Sequence, residues 1–234
     1  MKFHRVVIKI SGEALAGDKK TGFDFELISS VCAVLKEAAA QGVQIGIVIG
    51  GGNFWRGVKD GAGKVERVNA DRMGMLATCM NCIAVCDVLR QLGAKARVMT
   101  AVDIMGVGER YDTRRAIEYL EAGEIILFAG GSGAPFFSTD TAAALRAAEI
   151  HADALLLAKN IDGVYSADPR KDASAVKFDS ISYDEVLARH LAVMDTTATA
   201  LAMENGIPAA VFALADPENI LRVLNGEAVG TLVK

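Results

Sequence analysis

The feature that most restricts the fold is a set of short β-branched runs with almost no polar residue. Ile45–Ile49 is Ile-Gly-Ile-Val-Ile, and Ile125–Phe128 is Ile-Ile-Leu-Phe. A strand with one solvated face alternates apolar and polar residues, whereas a strand covered on both faces does not. Such strands are typical of a parallel sheet between two helical layers. We therefore expect an α/β protein, a three-layer αβα sandwich with a central, mostly parallel sheet.

Runs of this kind alternate along the chain with segments of helical periodicity. The predicted strands are Arg5–Ile10, Val43–Ile49, Ala96–Thr100, Glu124–Phe128, Ala154–Ala158, Ala209–Ala213 and Gly230–Val233. The predicted helices are Glu26–Gln41, Ala70–Leu92, Thr113–Ala122, Thr141–Ile150, Tyr183–His190, Thr196–Asn205 and Pro217–Leu224. Capping residues mark several ends: Gly42, Gly93 and Gly123 follow helices, while Asp112, Ser182 with Glu185, and Asp216 with Pro217 precede them. The irregular stretch Lys159–Ser180 is predicted to be a long functional loop.

Composition excludes several other classes of protein. The chain has 234 residues, of which 52% are apolar and 23% charged, so disorder and collagen-like structure are excluded. Its net charge of −4 gives no global attraction to nucleic acid or to anionic lipid. No apolar run approaches the roughly 18 residues that span a bilayer, and the N-terminal apolar run is too short for a signal peptide. We expect a cytoplasmic protein in which residues 1–234 form one domain.

Three of the four cysteines share one predicted helical face. Cys79, Cys82 and Cys86 are spaced by three and four residues. A metal or iron–sulfur site is one interpretation. Burial in the core is the better one, because a free cysteine behaves as a small apolar residue and neither a histidine nor the fourth cysteine lies near in sequence.

Glycine-rich or polar segments follow four of the predicted strands. These strand exits are Lys9-Ile10-Ser11-Gly12-Glu13, Gly50-Gly51-Gly52-Asn53, Gly130-Gly131-Ser132-Gly133 and Lys159-Asn160-Ile161-Asp162-Gly163. Ligands of open parallel sheets bind beyond the carboxyl ends of the strands. Glycines there let backbone N–H groups approach an anion. Any one of these exits could be only a tight turn, but four at one sheet edge indicate a polyphosphate site.

Two familiar nucleotide motifs do not fit these glycines. Gly52 and Gly57 have the spacing of a P-loop, but Val58-Lys59 follows where Lys-Ser/Thr is required. Gly61-x-Gly63 and Gly131-x-Gly133 lead to Glu66 and Phe136, where a dinucleotide fingerprint needs a small residue. A nicotinamide cofactor is therefore not expected.

Several segments together resemble the bacterial uridylate (UMP) kinases of the amino acid kinase superfamily. The segments are Lys9–Leu15, Val48–Asn53 with Arg56-Gly57, Asp71–Thr78, Pro135–Asp140 and Asp162–Pro169. The similarity runs in order from the first strand to Met194-Asp195, essentially the whole chain. The glycine exits are shared across the superfamily, whereas the Asp71–Thr78 and Pro135–Asp140 segments are more particular to UMP kinases.

The resemblance implies transfer of the γ-phosphoryl group of ATP to UMP, with Mg²⁺, in a homohexamer. It implies an acceptor side at about residues 1–150 and an ATP side at about 151–234. It also implies GTP as an activator and UTP as an inhibitor. Gly17–Gly22 lies where many members bind GTP, although only its end glycines match the commonest form. We expect dimers to form through the first helices, because Glu26–Gln41 carries small residues around more of its circumference than one core stripe needs.

The resemblance also assigns roles to particular residues. Lys9 and Asp140 are the implied catalytic residues. The implied ATP-binding residues are Lys9, Ile10, Ser11, Gly12, Gly52, Arg56, Lys159, Asn160, Tyr165 and Asp168. The implied UMP-binding residues are Gly51, Arg56, Asp71, Ser132, Gly133, Ala134, Pro135, Phe136, Phe137, Ser138 and Thr139.

Simpler interpretations exist for four of these residues. Lys9 could be a solvated lysine at a strand end, and Tyr165 could only anchor its loop. Asp140 and Asp71 could each cap a helix. His4, His151 and His190, which belong to no motif, are expected at the surface or at helix ends.

One departure from the family pattern and two other functions remain open. Ala134 stands where the family commonly has Asn, so a side-chain amide that could read the base is absent. A carboxylate or carbamate kinase of the same superfamily is the second hypothesis, although Pro135–Asp140 together with Asp71–Thr78 is not expected in one. A non-catalytic nucleotide-binding or oxyanion-storing relative is the third, and the presence of Lys9, Arg56 and Asp140 together argues against it.

Overall fold

The computed structural model describes residues 1–56 and 63–234, and one sheet of nine strands runs through them. The strands are β1 (Arg5–Ile10), β2 (Gln44–Ile49), β3 (Ala96–Thr100), β4 (Glu109–Arg110), β5 (Ile125–Ala129), β6 (Ala154–Lys159), β7 (Ser180–Ile181), β8 (Ala209–Ala213) and β9 (Thr231–Val233). Their order across the sheet is β4-β3-β5-β2-β1-β6-β8-β9-β7. All neighbours pair in parallel except β8 and β9. The predicted mostly parallel sheet is confirmed.

Helices cover both faces of this sheet. They are α1 (Gly12–Leu15), α2 (Phe25–Ala40), α3 (Arg67–Gln91), α4 (Thr113–Glu121), α5 (Thr139–Glu149), α6 (Tyr183–Ala188), α7 (Thr196–Glu204) and α8 (Asn219–Leu224). One apolar core joins α2, α3 and α8 to the sheet, and a second joins α4, α5, α6 and α7 to the opposite face. These two cores make the three-layer αβα sandwich that the sequence predicts.

The alternation of side chains along β1 places its lysine. Val6, Ile8 and Ile10 enter the core with α2 and α3, whereas Val7 enters the core with α5. Successive strand residues point to opposite faces, so Lys9 lies on the α5 face. The sequence of β1 therefore places the charged side chain of Lys9 beneath the start of α5.

Most predicted helix ends lie within a few residues of the observed ones, and the starts of three helices differ from the prediction. The helix predicted from Pro217 begins at Asn219, because the Asp216 carboxylate accepts from the Glu218 N–H and closes a turn before the helix. The helix predicted from Thr141 begins at Thr139, with Ser138 as its cap. The helix predicted from Ala70 begins at Arg67. The short strands β4 and β7 and helix α1 have no sequence pattern long enough to predict them.

Helix α3 is long and apolar enough to cross a membrane by length and composition. Its most apolar 18-residue window has a mean hydropathy of 1.4, yet 56% of that window is buried in the protein. The core helix of a folded domain has the same properties. The buried side of α3 contacts α2, β3 and β5, so we interpret it as a core helix.

The cysteines lie in the core between α2, α3 and the sheet. Cys32, Cys79, Cys82 and Cys86 are all buried free thiols. Burial raises the pKa of Cys32 to about 12 and also raises the pKa of Cys82 well above its ordinary value. Cys79, Cys82 and Cys86 are therefore buried in the core, as the preferred interpretation of their spacing predicted. The three histidines are exposed, and His151 and His190 follow the ends of α5 and α6.

Candidate active site

Two lysines from neighbouring strands converge on one carboxylate. Lys9 lies near the end of β1 and Lys159 at the end of β6, and these strands pair in parallel. The Lys9 Nζ is 2.7 Å from the Asp140 Oδ1, and the Lys159 Nζ is 3.8 Å from the Asp140 Oδ2. The side chains of Lys9 and Asp140 are only 11% and 17% exposed, so solvent screens this ion pair weakly. Lys9 is therefore not a solvated strand-end lysine.

Asp140 is free to make these contacts because another residue caps its helix. The Ser138 Oγ accepts from the backbone N–H groups of Asp140 and Thr141 at 3.0 and 3.1 Å. The interpretation of Asp140 as the N-cap is therefore wrong. A serine cap satisfies the first turn of α5 and leaves the carboxylate in the first turn, where the positive end of the helix favours negative charge.

Burial perturbs the second lysine of the cluster. Desolvation lowers the pKa of Lys159, and the nearby Asp140 carboxylate offsets part of that effect by favouring the charged form. The Lys159 Nζ also donates to the backbone carbonyl of Val193. The Lys159 ammonium is thus held between the start of α5 and the segment that precedes α7.

The first two strand exits approach each other closely, which requires glycine. A Cβ atom at Gly12 would lie 2.2 Å from the Gly50 carbonyl oxygen, and one at Gly51 would lie 2.9 Å from the Ala77 Cβ on α3. Both distances are shorter than real Cβ contacts allow. Close packing is therefore one reason why glycine is required at both positions. Because glycine has no side chain, the backbone there is also open to a ligand.

Helix α3 holds two of the glycine-rich exits by hydrogen bonds. The Asn81 side-chain amide donates to the Gly50 carbonyl at 2.7 Å, and the Gly130 N–H donates to the Thr78 Oγ1 at 2.9 Å. Each bond fixes the backbone immediately after a strand. Thr78 and Asn81 of α3 therefore help to determine the shape of the site without providing charge.

A pocket that we call the α3 pocket lies between α3 and the loop after β5. Among the residues predicted to bind UMP, it is lined by Gly51, Asp71, Ser132, Ala134, Phe137, Ser138 and Thr139. Trp55, Ala70, Gly74, Met75, Thr78 and Gly131 complete the lining and were not predicted. The Trp55 indole donates to the Ala70 carbonyl at 2.8 Å, so the ring is fixed against α3.

Asp71 lies inside α3, so the interpretation of it as a helix cap is wrong. Its Oδ2 accepts from the Arg67 Nε and from the Phe136 backbone N–H, both at 2.8 Å. Phe136 has a φ of 73°, which is rare for a bulky side chain, and its ring lies 5.3 Å from the Arg67 guanidinium. The carboxylate of Asp71 thus holds the loop over the α3 pocket.

Arg56 follows the triple glycine at the edge of the described residues. Its guanidinium is 3.0 Å from the Glu13 Oε1, and its Nε donates to the Gly52 carbonyl at 3.3 Å. Gly57, the next residue of the predicted motif, lies outside the described residues. Arg56 therefore bridges the exits of β1 and β2.

A larger cavity of about 840 Å³, which we call the loop pocket, lies beside the exit of β6. Six residues predicted to bind ATP line it: Lys9, Ser11, Lys159, Asn160, Tyr165 and Asp168. The Tyr165 hydroxyl donates to the Asp162 Oδ1 at 2.8 Å, and the Lys177 Nζ is 3.0 Å from the Asp162 Oδ2. Tyr165 therefore anchors its loop and also lines the cavity, and its contact with the ATP nucleoside stays a prediction.

Some predicted residues line neither cavity. These are Ile10, Gly12, Gly52, Arg56, Gly133, Pro135, Phe136 and Asp140. The Ile10 side chain is fully buried, so only its backbone could contact a ligand. Conversely, the segment Arg189–Val193 lines the loop pocket and was not predicted. It carries no motif, since its position depends on how the chain folds back between α6 and α7.

The fold and this arrangement define an α/β protein with two pockets and a lysine–aspartate cluster at the carboxyl edge of its sheet. The family model described as "Amino acid kinase family" matches residues 4–213. The chain belongs to the amino acid kinase family.

Curated and solved relatives agree with this membership. The chain is 51% identical to a uridylate kinase from Limosilactobacillus reuteri, over 100% of this chain and 98% of the relative. It resembles the crystal structure of a UMP kinase from Bacillus anthracis with a TM-score of 0.96 and 36% identity, covering 100% of this chain and 97% of that one. A UMP kinase from Ureaplasma parvum gives a TM-score of 0.93 and 34% identity, covering 100% of both chains.

Proposed function

We propose that this protein transfers the γ-phosphoryl group of ATP to UMP, giving UDP and ADP, a step of pyrimidine nucleotide biosynthesis in the cytoplasm. The observation that carries the proposal is the Lys9–Asp140–Lys159 cluster between the two pockets. Lys9 and Lys159 line the loop pocket, while Thr139, the neighbour of Asp140, lines the α3 pocket. One buried and one partly buried ammonium group suit a phosphoryl group in transit.

Phosphoryl transfer requires the protein mainly to position the two substrates and to supply positive charge. The nucleophile is a phosphate oxygen of UMP, whose second pKa is about 6, so no general base is needed at neutral pH. Phosphoryl transfer is accelerated mainly by alignment of the two phosphates and by stabilisation of the transferring group. Lys9 and Lys159 supply the positive charge, and Asp140 orients both lysines.

Magnesium is proposed as a companion of the nucleotide. Within residues 1–56 and 63–234, no group of three or more His, Cys, Asp or Glu side chains is arranged to hold a metal ion. Mg²⁺ commonly binds substrate phosphates, several waters and only one or two carboxylates, so a dedicated protein site is not required. The ion would supply charge neutralisation at the phosphates, and Asp140 is the residue of the Lys9–Asp140–Lys159 cluster whose carboxylate could hold it.

The two halves of the chain divide the substrates. We assign UMP to the α3 pocket, with Arg56 on its phosphate, Asp71 on its ribose and the backbone of residues 132–136 on the base. Gly51, Phe136, Phe137, Ser138 and Thr139 surround it. The pocket residues fall between 51 and 139, which supports an acceptor side at 1–150.

We assign ATP to the loop pocket. Its phosphates would meet Lys9, Ser11 and the backbone of Ile10, Gly12 and Gly52, while Asn160, Tyr165 and Asp168 would contact the nucleoside. Apart from Lys9 and Ser11, the pocket residues fall between 159 and 213, which supports an ATP side at 151–234.

A coupled assay of ADP formation tests the function. The protein is supplied with ATP and, separately, with UMP, CMP, dUMP, glutamate or no acceptor. We expect UMP to be the preferred acceptor and CMP to be at least about tenfold poorer, because a site that hydrogen-bonds one base rejects another. Glutamate-dependent turnover would favour the carboxylate kinase hypothesis, and nucleotide binding without turnover would favour a storage protein.

We also propose that the protein is a homohexamer, and the described surface supplies one candidate contact. Met73, Leu76, Met80 and Ile83 form an exposed apolar stripe along α3. Helix α2, which the sequence favoured, exposes mainly small and charged residues outside its core face. Light scattering of the variants Met80→Glu on α3 and Ala33→Glu on α2 shows which of the two helices forms the contact between subunits. A smaller species for Ala33→Glu alone would favour α2, and a monomeric wild-type protein at micromolar concentration would refute the assembly.

Regulation by GTP and UTP is a separate proposal. The segment Gly17–Gly22 is largely exposed and begins with a 3₁₀ turn at Gly17–Lys19. Lys19 and Lys20 place two positive charges there, which suits a triphosphate. Initial rates with added GTP or UTP at fixed ATP and UMP test it, and unchanged rates would remove both regulators.

A further inference from the structure

Asp195 connects the starts of two helices. It caps α7, where its Oδ1 accepts from the Ala198 N–H at 2.9 Å. The same carboxylate accepts from the hydroxyl groups of Ser138 and Thr141 at the start of α5, with the Thr141 Oγ1 at 2.9 Å from Oδ1 and 3.1 Å from Oδ2. A helix cap needs one oxygen, so these further bonds have no role in capping α7.

Asp140 lies between the two residues that Asp195 holds. Ser138 is the cap of α5, and Thr141 is 5% exposed with its hydroxyl directed to Asp195. The hydroxyl proton of Ser138 goes to Asp195, which leaves the Ser138 oxygen to accept from the Asp140 N–H. The backbone at Asp140 is therefore fixed from both sides by one carboxylate.

The segment that carries Asp195 also reaches the second lysine. Residues 191–193 line the loop pocket, and the Val193 carbonyl accepts from the Lys159 Nζ. Two residues later, Asp195 holds α5. Residues 193–195 thus contact both Lys159 and the turn that carries its carboxylate partner, Asp140.

We propose that Asp195 is a positioning residue for phosphoryl transfer, which holds the first turn of α5 so that Asp140 stays aligned with Lys9 and Lys159. The proposal rests on the proposed function. It assigns Asp195 no contact with either substrate. A displacement of about 1 Å of an aligned group can cost roughly 10²-fold in rate, so loss of this anchor should be seen in turnover.

The variant Asp195→Asn separates positioning from capping. An amide keeps one acceptor oxygen, and Asn caps helices about as well as Asp, so α7 should remain intact. With the retained oxygen in the place of Oδ1, the NH₂ group takes the place of Oδ2 and cannot accept from the Ser138 hydroxyl, while Thr141 can still donate to the retained oxygen. We expect kcat to fall at least about tenfold, KM for both nucleotides to change less than about threefold, and the melting temperature to stay within about 2 °C of wild type.

Asp112→Asn is the matched control. Asp112 caps α4 by accepting from the Arg115 N–H at 3.0 Å, a bond like that between Asp195 and Ala198. If Asp195 is only a cap, the two variants will have the same small effect on stability and none on kcat. That result would overturn the proposal.

A second pair of variants tests the contact itself. Thr141→Val removes the hydroxyl at similar volume, and Thr141→Ser restores it. We expect Thr141→Val to lower kcat, Thr141→Ser to recover most of it, and the double variant Asp195→Asn/Thr141→Val to lose less than the product of the two single losses, because both changes loosen the same turn. Independent, multiplicative losses would show that the two side chains do not act together.

Hydrogen exchange gives a readout that needs no turnover. In Asp195→Asn the amides of Asp140 and Thr141 should exchange faster than in wild type, while the interior of α7 should not change. Unchanged exchange at α5 would refute the positioning role even if the enzyme acted on a different acceptor. Failure of the wild-type protein to phosphorylate UMP would instead refute the proposed function.

Discussion

The side chains of Asn53 and Asn81 hydrogen-bond to each other in both directions, at 2.9 and 2.8 Å, in the interior of the protein. Asn53 is 1% exposed and Asn81 is fully buried. Their remaining amide protons go to the Gly22 and Gly50 carbonyls. This pair therefore joins α3 to the triple-glycine exit and to the segment before α2.

Removing one amide of this pair should destabilise the fold. Asn81→Ala removes the donor to the Gly50 carbonyl and both bonds to the Asn53 side chain, and each unsatisfied buried group costs about 1–3 kcal/mol. We expect the free energy of unfolding in urea to fall by about 2–4 kcal/mol. The control Asn69→Ala, at an exposed position of the same helix, should stay within about 0.5 kcal/mol. Equal effects of the two variants would contradict the account of the buried pair.

Loss of the lysine–aspartate pair should reduce turnover more than binding. Lys9→Ala removes charge that stabilises the transition state, so kcat should fall about 10²–10³-fold, roughly 3–4 kcal/mol. Asp140→Asn should also lower kcat while the protein still folds, because Ser138 and not Asp140 caps α5. Steady-state kinetics and thermal melts check both variants. Wild-type turnover in Lys9→Ala would overturn the assignment of the active site.

Arg56 should show the opposite kinetic pattern. Its proposed grip on the acceptor phosphate exists before transfer, so Arg56→Ala should chiefly raise KM for UMP. The ion pair with Glu13 is at the surface and should contribute little to stability. Arg222→Ala, which removes an exposed ion pair with Glu227, is the control and should leave KM unchanged. A fall in kcat without a change in KM would move Arg56 to the transferring phosphoryl group.

Lys159 should set an alkaline limit on the use of ATP. Burial lowers its pKa, so its charge is lost at a lower pH than that of an ordinary lysine. We expect kcat/KM for ATP to decline as pH rises through this lowered pKa, within a scan from about pH 7 to 10. Lys159→Arg should move the decline to higher pH, because guanidinium keeps its proton. An unmoved decline would assign it to another group.

The lowered pKa of Lys159 also determines how the free energy of unfolding changes with pH. Between the lowered folded pKa and the ordinary unfolded pKa, the unfolded chain binds the additional proton. The contribution of Lys159 to the free energy of unfolding therefore increases with pH across that window. Urea titrations of wild type and Lys159→Met at several alkaline pH values should show this difference, and parallel curves would contradict it.

Ala134 should limit the choice of base. It lines the α3 pocket, and no side-chain amide is present at this position. Ala134→Asn adds a donor and an acceptor that can read a pyrimidine edge, so the ratio of kcat/KM for UMP to that for CMP should rise about tenfold. The same ratio for Ala134→Ser serves as the size control. No change with Asn would leave base recognition to the backbone of residues 132–136.

The sequence predicted the fold well because local patterns and tertiary structure agree. Uninterrupted β-branched runs such as Ile45–Ile49 are typical of buried strands, and the capping residues Asp112 and Ser182 accept backbone N–H bonds as expected. Elements of two to four residues, such as β4, β7 and α1, contain too few positions for any period to emerge. They form because longer neighbours bring the backbone into place.

The candidate site was predictable where motifs carry it and unpredictable where folding alone assembles it. The strand exits that hold Lys9 and Lys159 could be predicted, because glycines and charged residues follow the strands there. The contacts of Asp195 with Ser138 and Thr141 join positions more than fifty residues apart, 54 in the case of Thr141, and no spacing in the sequence signals them. Likewise, both Ser138 and Asp140 could have capped α5, and only the backbone geometry distinguishes them.

The four buried thiols make the two helical layers chemically distinguishable. Cys32 belongs to α2, and Cys79, Cys82 and Cys86 belong to α3, so every cysteine of the chain lies in one layer. Their burial and raised pKa values suppress the reactive thiolate in the native state. Alkylation by a thiol reagent therefore reports the opening of the α2–α3 layer and is silent to opening of the α4–α7 layer. The rate of cysteine alkylation, compared with the rate of global unfolding, therefore shows whether the α2–α3 layer opens before the rest of the protein.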